Sequence, residues 1–242
     1  MDISIWFYLL LFVVAMLYSS VGHGGASGYI AVMSLFSFAP ETIRPMALML
    51  NIGVSFFAFQ RYYRSGNFKW KLFWPFILTS VPFAWLGGKM VLSTHLFHTL
   101  LGVLLIFPVL NLLRLFPERK TKDELQLVPA LLIGAVIGWL SGMIGIGGGI
   151  LLSPVLLLLG WATIKESAAV SALFIFVNSL VVLLALDDPA SAINADLLPV
   201  FPVVLTGGLL GAQLGAFTGK IQLLKSVLAL VLLIASVKLI FV

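Results

Sequence analysis

Apolar residues run in long unbroken stretches along this 242-residue chain, and charged residues are confined to short gaps between them. Several stretches reach the roughly 18 to 20 residues that separate a bilayer-spanning helix from a buried helix of a soluble protein. The runs lack the alternation over about ten residues that marks a membrane barrel strand. Lipid offers backbone N–H and C=O groups no partners, so continuous runs predict helices, which satisfy them internally. The pattern predicts an all-α, polytopic membrane protein. Its apolar segments cover roughly residues 3–21, 26–38, 45–60, 72–90 and 97–114, then 127–144, 150–160, 167–186, 197–217 and 222–241. Segments 26–38 and 150–160 are short, about 16 to 20 Å of helix against a ~30 Å hydrocarbon core. Each follows a glycine cluster. Either the segments around each break form a re-entrant hairpin, or the short helix crosses in a thinned or sheltered place.

The glycine clusters also mark a repeat. Val21-Gly22-His23-Gly24-Gly25-Ala26 resembles Ile144-Gly145-Ile146-Gly147-Gly148-Gly149. Trp74-Pro75 matches Leu198-Pro199, and Leu86-Gly87-Gly88-Lys89 matches Leu210-Gly211-Ala212-Gln213, all at an offset of about 123 or 124 residues. The chain reads as a first repeat, residues 1–115, a charged cytoplasmic linker, 116–126, and a second repeat, 127–242, in one membrane domain.

Cytoplasmic loops of membrane proteins carry an excess of Lys and Arg. Arg61, Arg64, Lys69 and Lys71 cluster in the first repeat, whereas the equivalent stretch of the second holds Asp187, Asp188 and Asp196 and no cation. With the basic loop in the cytoplasm, Arg114, Arg119, Lys120, Lys122, Lys165, Lys220 and Lys225 fall there too. Arg44, Lys89 and Lys238 are left outside. Matching loops then sit on opposite faces. The repeats are inverted, with an odd number of crossings in each and both termini extracytoplasmic.

Composition agrees with a membrane setting: 61% of residues are hydrophobic and 10% charged, against about 25% charged in a soluble domain. The first apolar run has no basic region before it and no small-residue cleavage site after it, so it reads as a retained span, not a signal peptide. The absence of cysteine excludes disulfides, thiolate metal sites and a cysteine nucleophile. The net charge of +5 reflects loop orientation and does not imply nucleic acid.

Inverted repeats bring equivalent elements together near the midplane. Glycine costs about 1 kcal/mol relative to alanine inside a helix, so Gly22, Gly24 and Gly25, and Gly145, Gly147, Gly148 and Gly149, read as helix breaks. The short helix after each break starts with N–H groups that lack intrahelical partners and with the positive end of its dipole. Two such ends facing one another make an anion site without a buried cation. Alternatively, the glycines only allow close helix packing. His23, matched by Ile146, reads as a donor to the anion, as a proton carrier, or as a packed neutral imidazole. Asn51 and Ser55 share one helical face, as do Ser167, Ser171 and Asn178. Such stripes face protein or a cavity, so Asn51, Ser171 and Asn178 read as solute contacts or as interhelical hydrogen bonds. Arg44 and Lys165 read as interfacial anchors, Lys89 as an anchor or as a cation that draws anions into a vestibule, and His95 and His98 as interfacial polar residues without a metal. Pro75, Pro82, Pro199 and Pro202 bend the fourth segments.

The run Gly145-Ile146-Gly147-Gly148-Gly149 with Ser153-Pro154, Lys165, Ala168-Ala169-Val170-Ser171 and Asn178-Ser179 resembles the TauE/SafE family of membrane transporters. Gly22-His23-Gly24-Gly25 with Arg44 and Asn51 is a weaker first copy, and the resemblance covers nearly the whole chain. It implies a secondary transporter of small sulfur-containing anions such as sulfite, sulfonates or sulfoacetate, in a bacterial or archaeal cytoplasmic membrane. The residues themselves reach only an anion near the midplane. They imply no cofactor, since Gly145 to Gly149 lacks the Gly-Lys-Ser/Thr ending of a P-loop. The expected partners are the anion and membrane lipid. Homo-oligomerisation, coupling to a proton or another ion, and transport direction stay open. The rival readings are an anion channel, an intramembrane enzyme and a scaffold. An enzyme would require paired carboxylates, a metal cluster or an activated nucleophile.

Overall fold

The computed structural model describes residues 5–112, 124–189 and 197–217, and beyond them residues 229, 230, 233, 236, 237 and 240 of a last helix. Most of the expected linker, its cations Arg119, Lys120 and Lys122, most of segment 222–241, and Arg114, Asp196, Lys220, Lys225 and Lys238 lie outside the described residues. Among the described residues there is no strand. The helices are α1 (Ile5–Ser19), α2 (Ala26–Leu35), α3 (Pro40–Arg64), α4 (Trp70–Gly88), α5 (Thr94–Leu112), α6 (Leu127–Ile144), α7 (Gly149–Leu158), α8 (Ile164–Ala185) and α9 (Val200–Phe217). This is an all-α, multi-pass membrane protein. Helices α3, α6 and α8 are each long and apolar enough to cross a bilayer.

Local chemistry sets the ends. α3 outruns its apolar stretch at both sides because Pro40 and Glu41 suit a helix start, while Arg61 and Arg64 suit its negative end. A capping box opens α8: Thr163 Oγ1 accepts from Glu166 N–H, and the Glu166 carboxylate accepts from Thr163 N–H. Neither α2 nor α7 has a side-chain cap from its own N-cap residue. Gly25 at φ 99° and Gly148 at φ 76° occupy those positions in the left-handed region, where a Cβ is strained.

Both breaks form re-entrant hairpins. α2 runs back along α1: Ser27 Oγ donates to the Tyr18 hydroxyl at 3.0 Å, and Phe36 and Phe38 pack on Phe7 near the start of α1. α7 turns back likewise. Trp161, just past its end, packs on Phe76, which faces Gly134 in the first half of α6. With ten residues each, α2 and α7 span about 15 Å, half the core.

The remaining helices pair across the chain. α3 and α8 run antiparallel: Leu48 clusters with Val182, Asn51 bonds Ser179, Phe56 packs on Phe176, and Ala58 clusters with Ala172. α4 runs parallel to α6, with Gly134, Gly138 and Gly142 against the carbonyls of Phe76, Ser80 and Ala84. α1 runs parallel to α9, with Gly207, Gly211 and Gly215 against the carbonyls of Phe12, Met16 and Ser20. At each of these six glycines a Cβ would collide with the facing main chain. Small residues at every fourth position let helix backbones approach where lipid gives no hydrophobic drive for association. Gly138→Val is therefore expected to cost about 1–3 kcal/mol. Thermal unfolding in detergent checks this, and an unchanged midpoint would show that α4 and α6 separate freely.

Polar groups line the middle of the bundle and apolar ones its outside. Asn51, Ser55, Ser80, Ser141, Ser171, Asn178 and Ser179 are fully buried, whereas Leu78, Leu132 and Leu184 are more than half exposed, as lipid-facing side chains are. Ion pairs tie the two ends of α4 to the matching ends of α8. Lys69 pairs with Glu166 at one end, and Lys89 with Asp187 at 2.9 Å at the other.

Candidate functional site at the meeting of the glycine breaks

Gly24 and Gly147, one from each break, flank the same two side chains at the α3–α8 crossing. A Cβ on Gly24 would overlap Asn51 Oδ1 and lie 3.0 Å from Ile175 Cγ2. One on Gly147 would lie 2.6 Å from both Asn51 Nδ2 and Ser179 Oγ, and 3.0 Å from the same Ile175 methyl. The absence of side chains on these glycines lets the two loops close on one point inside the bundle.

Asn51 holds that point together. Its Oδ1 accepts from the Ala26 N–H at 3.2 Å. Its Nδ2 donates to Ser179 Oγ at 2.9 Å and to the Ile146 carbonyl at 3.5 Å. One buried amide thus joins the start of α2, the second break and α8. The Tyr29 hydroxyl braces the first loop by donating to the Gly24 carbonyl at 2.7 Å. On the other side Ser153 Oγ and Ser167 Oγ, 2.8 Å apart, fix α7 against α8. Gly149, at the head of α7, sits beside Ser171, whose carbonyl would be 2.9 Å from a Cβ there.

The remaining expected site residues lie around this junction. His23 is buried, its main-chain N–H donating to the Tyr18 carbonyl at 3.0 Å and its ring edge-on to Tyr18. Gly22 packs on Ala168, and Gly145 packs on the Arg44 stem. Asn178 is not brought to the breaks. Its Oδ1 accepts from Ser80 Oγ at 2.7 Å and its Nδ2 donates to the Phe174 carbonyl at 2.9 Å, linking α4 to α8. Lys165 follows the Thr163 cap at the Lys69 end.

Arg44, read as an interfacial anchor, holds to main-chain carbonyls near a span end. Its guanidinium turns inward and donates to the carbonyls of Gly142 at 2.7 Å and Gly88 at 2.9 Å, with Gly87 and Met90 at 3.4 Å. Those carbonyls belong to the last turns of α4 and α6 and the residues after α4; the Gly87 carbonyl also accepts from the Met90 N–H at 3.1 Å, whereas carbonyls in a last helical turn otherwise lack intrahelical donors. A cation there also complements the helix dipoles.

Sequence reasoning missed Ser179 and Ile175. The repeat offset carried the signal, for Ile175 stands about 124 residues after Asn51, and Ser179 the same distance after Ser55. The junction sets helix-end N–H groups and hydroxyls around the Asn51 amide deep in the bundle, a set suited to oxyanions. A cavity of about 750 Å3 lined by Lys69, Lys71, Trp74, Glu124 and Trp161 opens at the Lys69 end. Another, of about 260 Å3 and lined by Glu41, Arg44, Met143 and Asp187, opens at the Lys89 end.

Comparison with known proteins agrees with this architecture. Residues 7–239 match the family described as Sulfite exporter TauE/SafE. A probable membrane transporter protein of Sinorhizobium fredii is 34% identical over 236 residues, covering 95% of each chain. A probable membrane transporter protein of Methanocaldococcus jannaschii is 28% identical over 172 residues, covering 66% of this chain and 63% of its own. No solved structure matches the chain. A glycine-broken helical bundle, matched along nearly its whole length by one family of membrane transporters, belongs to the TauE/SafE family.

Proposed function

We propose that the chain is a secondary transporter carrying a small sulfur-containing anion, of the sulfite, sulfonate or sulfoacetate class, across a prokaryotic cytoplasmic membrane by alternating access. The observation that carries this reading is the convergence of Gly24 and Gly147 on Asn51 and Ile175. It places the heads of α2 and α7 together deep in the bundle, where helix-end N–H groups favour an anion without a buried counter-charge. The sulfur chemistry comes from the family's description.

The helix pairing supports two inverted repeats, residues 1–115 and 127–242. Exchange of the halves turns the α1–α9 pair into the α6–α4 pair and leaves the antiparallel α3–α8 pair on the axis. Such an axis lies in the membrane plane, so the two ends of the path are alternately accessible when one half rocks against the other. The cavities at the Lys69 and Lys89 ends would serve as the two approaches, with the anion between them at the junction.

Proteoliposomes loaded with unlabelled sulfite and diluted into radiolabelled sulfite are the test. A carrier is expected to show counterflow that unlabelled sulfite or sulfoacetate competes and acetate does not. Steady current without counterflow would mark a channel, and no sulfur-anion flux at all would sink the reading.

A further inference from the structure

Both breaks put a left-handed glycine, Gly25 or Gly148, at the N-cap of the short helix, and they differ in what caps the helix that follows. At α2 the first helical N–H is already bound, for Asn51 Oδ1 accepts from Ala26 while Ser179 and the Ile146 carbonyl hold the amide from its other side. The residue related to α7 as Asn51 is to α2 is Ile175. Its Cδ1 lies 2.5 Å from where a Gly149 Cβ would be, at the head of α7. A hydrocarbon side chain accepts no hydrogen bond, and Gly148 supplies no side-chain cap either. The α7 end is left open where the α2 end is closed.

A second, independent feature stands at that open end. Ser171 lies one turn before Ile175 on the same face of α8. α7 and α8 run antiparallel here, so Ser153 faces Ser167 and Gly149 faces Ser171. Ser171 is fully buried, and its Oγ has no hydrogen-bond partner. Buried hydroxyls are rarely left unbonded in a folded protein. The matching position beside α2 is Ala47, which has no hydroxyl to offer.

We propose that the anion is held at α7 alone, by the first-turn N–H groups of α7 and the Ser171 hydroxyl, while Asn51 closes α2 to it. The assignment rests on the transport reading above and narrows it. The –SO3 head of a sulfite or sulfonate presents three acceptor oxygens, one for Ser171 and two for the helix end. A planar carboxylate presents two. Asn51 is then a positioning residue that fixes the junction, and Ile175 is the residue that leaves the α7 N–H groups without a side-chain acceptor.

The test compares wild type, Ser171→Ala, Ile175→Asn and Ser55→Ala by radiolabelled sulfite counterflow in proteoliposomes, with thermal unfolding of each. Ser171→Ala is expected to raise the half-saturating sulfite concentration roughly tenfold, the loss of one buried donor to a charged ligand. Ile175→Asn, which installs at α7 the cap that α2 already has, is expected to reduce affinity at least as much. Ser55 donates only within α3, to the Ile52 carbonyl, and Ser55→Ala is expected to leave the concentration dependence unchanged. If Ser171→Ala carries sulfite with the half-saturation of wild type, the one-ended site is overturned while transport stands. If wild type carries no sulfur anion, both readings fall together.

Discussion

Gly147→Ala is expected to cut sulfite flux on the order of a hundredfold while leaving the rest of the bundle assembled. Two costs act at once. Gly147 sits at φ +73°, in the left-handed region, where a side chain costs about 1–2 kcal/mol. The new methyl would also lie 2.6 Å from Asn51 Nδ2 and Ser179 Oγ, inside any tolerable contact. Relieving it means moving the amide that joins the two breaks, with an overpacking cost of about 1–3 kcal/mol. The sum is enough to displace the junction and not enough to unfold a bundle held by many helix contacts. Gly24→Ala separates the two causes. Its backbone is not in the left-handed region, but its methyl would overlap Asn51 Oδ1. Similar losses of flux in both variants would assign the effect to the shared contact with Asn51. Initial rates in proteoliposomes, with thermal midpoints alongside, make the measurement. Normal flux in Gly147→Ala would remove the junction from the transport path.

Arg44→Met is expected to lower stability by about 2–4 kcal/mol, the largest loss from any single side chain discussed. A hydrogen bond to a charged group contributes about 1.5–3 kcal/mol, and Arg44 makes its two shortest to the Gly88 and Gly142 carbonyls. Truncation leaves those helix-end acceptors partly buried without donors, an added penalty. Arg44→Lys keeps the charge but presents a compact ammonium in place of the planar fork that reaches several carbonyls. It is expected to recover part of the loss. Unfolding in a graded mixture of mild and denaturing detergent reads both variants. A lysine variant as stable as wild type would show that charge near the helix ends suffices and that the fork geometry adds nothing.

Much of this architecture was legible in the residues. Continuous apolar runs gave the helices, and the glycine clusters with short segments after them located α2 and α7 within a few residues. The re-entrant hairpin was one of two open alternatives, because segment length alone does not say which way a short helix turns. The contacts of Phe36 and Phe38 with Phe7 decide it. Helix partnership was hidden as well. The stripes at Gly134, Gly138 and Gly142 and at Gly207, Gly211 and Gly215 show which faces pack closely but not against which helix. The partners of Arg44 were not legible, because a cation near a span end can reach either lipid headgroups or neighbouring main-chain carbonyls. Only the position of the α4 and α6 ends distinguishes the two. Ile175 escaped notice for a different reason: a search for binding groups looks for polarity, and the informative feature here is where polarity stops.

The glycine stripes have a consequence for how the protein is made. Both lie in the second half of the chain, on α6 and α9, and the faces they grip lie in the first half, on α4 and α1. A ribosome inserting this chain therefore delivers two unmatched helix surfaces into the membrane before either mate exists. α4 meets α6 soon after, but α1 waits until α9 arrives, after seven further helices have been made. Through that interval the first helix rests on its short return helix and the neighbours already inserted. The amino-terminal half expressed alone would leave both surfaces against lipid, a ready target for membrane quality-control proteases, whereas two half-chains produced in one cell hold complementary surfaces and have the means to find each other.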